Sequence, residues 1–310
     1  ASVHANNIIG EEVAIDLNYR YNRTNECSYN RPDYACSGVI IHTQDDDAVD
    51  WYPSESGVTR GVVSFSWLRN DINTYREGDS LGSIWGEDFV YGIIFHDSEE
   101  ALLSGKVPAE IYCAYGTNGD TKSRENNGCG MNLPNETIPN EDPNDYSSCY
   151  PLGVYTSEDL VTKFFINQEG FYGQGGLDQC SFSASKEQFM QAMNVGPLAL
   201  PYMNTPSRNN EIVIKEWSSI SADNIPLNAF FYTINYIGDP LVSLQRAQEL
   251  QNNYFELTGI FKPIISVDMN VIRNGYPEQI VEPFIYNPED QIIKLEGKET
   301  QSFLTAERAT

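Results

Sequence analysis

Histidine and basic residues are what this sequence has least of. There are three histidines, His4, His42 and His96, and 19 lysines plus arginines against 44 aspartates plus glutamates. The net charge of −25 repels phosphate backbones and anionic bilayers, which excludes nucleic acid and acidic membrane surfaces as partners. So few histidines leave little for a Ser-His-Asp triad, and His42 and His96 each follow an apolar run, as strand-end residues do. No apolar stretch is long enough to span a bilayer. No two cysteines form a Cys-x-x-Cys pair, so zinc spacing is absent. Asp45-Asp46-Asp47 with Asp50 lacks the glycine-bearing spacing of a calcium loop and reads as a solvated turn, so no metal site is expected.

What is present is an ordinary apolar fraction of 40% and 19 tyrosines. A chain of 310 residues with that content can bury a sizeable core, and its tyrosine richness suits a β-rich fold. The cysteines, Cys27, Cys36, Cys113, Cys129, Cys149 and Cys180, are even in number and predict three disulfides in an oxidising compartment. Cys27 and Cys36 are the plausible local pair; the pairing of the other four stays open. With no signal peptide at its start, the chain is expected to be a mature secreted protein whose leader has been removed. Asn22-Arg23-Thr24 and Asn135-Glu136-Thr137 fit the glycosylation pattern.

Along the chain, residues 1–12 read as a polar lead-in. Strands are predicted over Val13–Tyr21, Gly38–Thr43, Val62–Leu68, Phe89–Phe95 and Glu110–Tyr115, each rich in Val, Ile, Tyr and Phe and bounded by Gly, Asp or Ser. Residues 116–150, full of Asn, Gly, Pro and Asp, read as a loop insertion stapled by disulfides. Helices are predicted from a Ser157 cap over 158–168 and from the Ser185/Gln188 capping box onward. Glu211–Trp217 and Leu227–Asn235 return to strand character. Asp239-Pro240 opens a helix whose Leu241, Leu244, Ala247 and Leu250 keep helical spacing to about Asn253. Phe261–Ile272 reads as a strand, and 288–310 as a polar tail. The expected architecture is one α+β domain over 13–287, strand-rich, with a few helices.

Three patches carry candidate chemistry. Leu17-Asn18-Tyr19-Arg20 puts an arginine on an early strand. Gly61 to Arg69 puts Ser64 and Ser66 on one strand face, because side chains repeat every two residues. Asn209-Asn210-Glu211-Ile212-Val213-Ile214 opens a β-branched run with a glutamate. Singly these read as a surface arginine, a polar strand face and a solvated strand end.

In that order, the patches resemble the Arg, Ser-Thr-Ser and Glu/Gln-x-Glu motifs of cholera-toxin-type ADP-ribosyltransferases. The resemblance implies that Arg20 contacts NAD, Ser64 supports the site and Glu211 engages the nicotinamide ribose. Phe65 stands where that pattern has threonine, and Asn209 where it has Glu or Gln, which argues for water rather than a protein as acceptor. A wider set of patches is similar to the halovibrin family of secreted bacterial proteins: Arg20-Tyr21-Asn22, Ala35-Cys36-Ser37-Gly38, Gly61–Arg69, Glu110–Ala114, Gln179–Phe182, Asn210-Glu211 and Ala229–Tyr232. That family is described as NAD glycohydrolases, once thought to be ADP-ribosyltransferases.

The resemblance implies a split β core and hydrolysis of NAD, as substrate rather than cofactor, to nicotinamide and ADP-ribose. Arg20 would bind phosphate, Ser64 and Ser66 would order the pocket beside Asn209, and Glu211 would stabilise an oxocarbenium-like ribose. Trp67 or a nearby tyrosine is the candidate to stack on nicotinamide. The alternatives are a mono-ADP-ribosyltransferase toxin and a non-enzymatic, secreted, disulfide-rich binding module. A host protein target or an inhibitor protein is not specified.

Overall fold

The computed structural model describes residues 3–28, 30–44, 50–72, 90–95, 110–117, 128–129, 149–167, 180–202, 209–221, 224–236, 238–274, 277–294 and 300–301. Helix α1 (Val3–Asn22) leads into β1 (Val39–Thr43), α2 (Glu55–Arg60), β2 (Val62–Leu68), β3 (Tyr91–Phe95) and β4 (Ile111–Tyr115). After α3 (Ser157–Leu160) come β5 (Phe182–Ser183), α4 (Lys186–Ala199), β6 (Glu211–Lys215) and β7 (Leu227–Ile234). Next follow α5 (Pro240–Thr258), β8 (Ile264–Asp268), α6 (Met269–Asn274) and β9 (Phe284–Tyr286), and a separate pair, β10 (Ile293–Lys294) with β11 (Thr300–Gln301). Nine strands form one mixed sheet in the order β5-β4-β6-β2-β1-β3-β7-β8-β9. The one parallel pair among the described residues, β7 with β8, is joined by α5, as a parallel crossover requires. The fold is α+β and strand-rich.

Alternation along the strands divides the apolar residues between two faces. Ile40, Val63, Phe65, Trp67, Phe95, Ile212, Ile214 and Phe230 enter the main core with Phe189 and Met193 of α4 and Leu250 and Tyr254 of α5. The opposite face carries two smaller clusters. Val39, Ile41, Leu68, Ile94, Phe231 and Ile265 meet Ala14, Leu17 and Tyr21 of α1. Val62, Val213 and Tyr115 pack with Cys113 and Cys129.

The sheet changes partners in the middle of β2. Ser66, Trp67 and Leu68 pair with Ile41, Ile40 and Val39 of β1. Val62 to Phe65 pair instead with Lys215 to Ile212 of β6. The two pairings occupy successive halves of one strand, so backbone groups at the changeover must be satisfied by side chains.

Three disulfides close Cys27–Cys36, Cys113–Cys129 and Cys149–Cys180, leaving no free cysteine. Cross-links of this kind persist in oxidising compartments. Of the 116–150 insertion only 116–117, 128–129 and 149–150 lie among the described residues; Cys129 and Cys149 bond it to β4 and to Cys180. No helix among the described residues is long and apolar enough to cross a membrane.

Several segments differ from the sequence expectation. Residues 3–12 are the first half of α1, and 13–21 are its second half rather than a strand. Val13, Ile15, Leu17, Tyr19 and Tyr21 alternate as a strand would, yet the buried positions are Gly10, Ala14, Leu17, Arg20 and Tyr21, at helical spacing. Ile15 and Tyr19 stay 69% and 61% exposed. The helix expected over 158–168 starts at Ser157 and is capped by Thr156, whose box partner is Asp159, not by Ser157; it passes after Leu160 into a wider turn over Val161–Ile166. Only half of the Ser185 box forms: the Ser185 hydroxyl accepts from the Gln188 amide N–H, whereas the Gln188 side chain accepts from Ser183 N–H.

The run from Phe261 splits into β8 and α6, because the Asp268 carboxylate accepts from the N–H of Asn270 and Val271 and starts a helix there. The tail expected from 288 is anchored at its start. Asp290 and Gln291 are buried; Asp290 accepts from the Tyr232 hydroxyl at 2.7 Å, and the Gln291 amide bonds both the N–H and the carbonyl of Ile264. Asn22, the first glycosylation candidate, donates its amide nitrogen to the carbonyls of Asn18 and Val281. Asn135 lies outside the described residues.

Candidate functional site

β2 and β6 run antiparallel, with Ser64 opposite Val213. Glu211 lies two residues before Val213, on the same face and diagonal to Ser64. The Ser64 hydroxyl donates to Glu211 Oε1 at 2.7 Å, although 147 residues separate them in sequence. This is the short distance of an O–H bond to a carboxylate. Glu211 is only 2% exposed and Ser64 half-buried. Burying a carboxylate costs free energy unless hydrogen bonds compensate it, and the serine supplies one.

The neighbours of this pair are supplied by the changeover on β2. Asn210, fully buried, stands where β6 stops being a ladder. Its Oδ1 accepts from Trp67 N–H at 2.8 Å and its Nδ2 donates to the Trp67 carbonyl at 2.8 Å. The Ser66 hydroxyl donates to the Asn210 carbonyl at 3.1 Å. On the other flank of β2 the Ser64 carbonyl lies 2.6 Å from His42 Nδ1; a carbonyl only accepts, so Nδ1 carries the proton. The His42 ring packs 5.0 Å from Phe65, on the main-core face away from the Ser64 hydroxyl. From β4, Tyr115 pairs with Glu211 and its hydroxyl donates to the Gly128 carbonyl at 3.0 Å, beside the Cys113–Cys129 bond.

The other candidates stand elsewhere. Arg20 is on a helix, not a strand, and is 4% exposed. Its guanidinium donates to the carbonyls of Tyr34 (2.8 Å), Gly38 (3.0 Å), Ala35 (3.4 Å) and Ser37 (3.5 Å). That places it at the Leu68 end of β2, roughly four residues or about 13 Å along the strand from Ser64. Trp67 is buried in the main core, with its indole N–H on the Ser37 carbonyl and its ring edge-to-face with Phe189, so it offers no stacking face. Asn209 is half-buried next to Asn210. His96, the His4 side chain and Asp45–Asp47 lie outside the described residues, among which no cluster of acidic, histidine or cysteine side chains could hold a metal.

A residue passed over by the pattern of arginine, serine and glutamate is Arg69. It is buried between Asp33 (2.7 Å) and Asp71 (2.6 Å), with its guanidinium 4.9 Å above Trp67. Asn210 was legible only as one letter of a motif, since nothing local marks an asparagine as a clamp. Gly78-Asp79-Ser80-Leu81-Gly82 spells the Gly-x-Ser-x-Gly of a serine-hydrolase elbow and lies outside the described residues.

A groove of about 870 Å³ runs between α1 and residues 280–286, lined by Ile15, Tyr19, Arg23, Ile280 and Tyr286 among others. It includes neither Ser64 nor Glu211. Burial pushes the Tyr286 hydroxyl up to about 12, with Glu11 and Asp290 adding to the shift. The candidate site is therefore the Ser64–Glu211 pair at the changeover of β2. No protein-family model matches the chain, and no curated protein matches it.

Proposed function

We propose that this protein is a secreted NAD glycohydrolase. The observation that carries the reading is the 2.7 Å bond between Ser64 and Glu211, which joins two of the three patches that resemble NAD-cleaving enzymes. The bond from C1′ of the ribose to the nicotinamide nitrogen breaks, and its electron pair leaves with the ring, which becomes neutral. Positive charge is left on C1′ and the ring oxygen of the ribose. A carboxylate facing that charge stabilises the transition state more than the ground state. Glu211 is that carboxylate here. Ser64 holds one of its oxygens at 2.7 Å and so orients the carboxylate. Water adds to C1′ and loses a proton, giving ADP-ribose.

Arg20 enters this reading as a post for the 34–38 loop, not as a phosphate ligand. Three disulfides support a site of action in an oxidising compartment, hence secretion. The test is incubation of purified protein with NAD and no other protein, with nicotinamide and ADP-ribose quantified. Equal release of both supports hydrolysis. NAD consumption only when an acceptor protein is added makes it a mono-ADP-ribosyltransferase, and no consumption in either case leaves a binding module.

A further inference from the structure

We infer that Asn210 is the positioning residue that sets where the Glu211 carboxylate stands. The inference rests on the reading of Glu211 as the ribose-facing carboxylate. β6 makes its last described ladder pair with β2 at Ile212 opposite Phe65. One residue before Glu211, the chain is held by three bonds that are not ladder bonds. Both ends of the Asn210 amide engage Trp67, and the Ser66 hydroxyl holds the Asn210 carbonyl. Glu211 is thus bracketed: Ile212 is fixed by backbone pairing on one side, and Asn210 by its carboxamide on the other. The Ser64 bond then fixes the carboxylate itself.

The residue type follows from the geometry. Trp67 presents one N–H and one carbonyl, and only a carboxamide offers an acceptor and a donor side by side to match them. Aspartate keeps the acceptor for Trp67 N–H but sets a carboxylate against the Trp67 carbonyl. Alanine removes both bonds and leaves two buried backbone groups without partners. The same two-ended bond recurs away from the site: Asn18 engages Phe284 through its N–H (3.0 Å) and carbonyl (2.7 Å). The two clamps are chemically alike, and only one of them adjoins Glu211, so Asn18 provides a matched control.

The experiment compares Asn210→Ala and Asn18→Ala in the full chain. The readouts are urea stability, kcat and KM for nicotinamide release, and the carboxyl carbon-13 resonance of Glu211, assigned through Glu211→Gln. Both variants are expected to lose stability. Asn210→Ala is expected to lose kcat by about tenfold to a hundredfold with KM within about threefold, because a displacement of about 1 Å at a reacting group has effects of that order. Its Glu211 resonance should move, while Asn18→Ala keeps both kcat and the resonance. Should Asn210→Ala not fold, Asn210→Asp is read in its place, with the same expected losses. A folded variant with wild-type kcat and an unmoved Glu211 resonance overturns the inference. If the wild type does not cleave NAD, the functional reading falls, and the resonance alone decides whether Asn210 positions Glu211.

Discussion

The two ends of β2 solve the burial of charge in different ways. At the Leu68 end, Arg69 is enclosed by Asp33 and Asp71 and covers Trp67, while Arg20 spreads its donors over the carbonyls of 34–38. Every charge there is met by opposite charge or by fixed dipoles, and the result is a rigid corner that pins the Cys27–Cys36 loop to the sheet. At the Ser64 end, a neutral hydroxyl is among the groups that orient a buried carboxylate, and the backbone before it is held by a carboxamide. A hydroxyl orients a carboxylate without neutralising it. Under the proposed reading, the difference separates the part of the strand that serves the fold from the part that serves the chemistry.

Breaking the first end should therefore cost stability and spare chemistry. Arg69→Met leaves Asp33 buried without its partner, and removal of one member of a buried pair costs about 3–5 kcal/mol. Urea unfolding checks the loss, and the folded fraction should keep its specific activity. Arg20→Met is next in size, at about 2–3 kcal/mol, since hydrogen bonds to a charged donor contribute about 1.5–3 kcal/mol. KM for NAD should stay within about twofold. A tenfold rise in KM with unchanged stability would instead restore Arg20 as a phosphate ligand.

The same division explains what could be read from the sequence. β2 was legible to within a residue because its apolar face, Val63, Phe65 and Trp67, alternates cleanly and Gly61 bounds it. The Cys27–Cys36 bond followed from its short loop, and α5 from Asp239-Pro240, where Asp239 does cap Leu241 N–H. Ser64 and Glu211 were legible only as motif letters; a contact across 147 residues is set by register, which no local pattern encodes. Arg20 was misplaced because alternating Val, Ile, Leu and Tyr mimic a strand, whereas packing of Ala14, Leu17 and Tyr21 against the sheet selects a helix. The start of the 288–310 segment reads as a tail because its anchors, Asp290 and Gln291, are polar and find their partners on distant elements.

The smallest expected effect comes from a third place, where the charged form of a side chain would meet like charge. Tyr286 is raised from its ordinary 10.0 to about 12, first by burial and then by Glu11 and Asp290. A folded-state value above the unfolded one contributes stability that is fully present below about pH 10 and is lost as pH rises through about 12. Wild-type stability should fall more between those pH values than that of Tyr286→Phe, as read by urea midpoints along the alkaline limb. Equal slopes would mean that the Tyr286 hydroxyl is not buried enough to resist ionisation.

The most direct test is the kcat for nicotinamide release from NAD by Glu211→Gln beside the wild type, with folding of both confirmed by circular dichroism. Glutamine keeps the shape and an acceptor for the Ser64 hydroxyl and removes only the charge. A loss of roughly a hundredfold or more in a folded variant is expected, the order seen when a single charge-stabilising group is removed. A folded Glu211→Gln within about threefold of an active wild type would contradict the assignment of Glu211 as the charge-stabilising carboxylate.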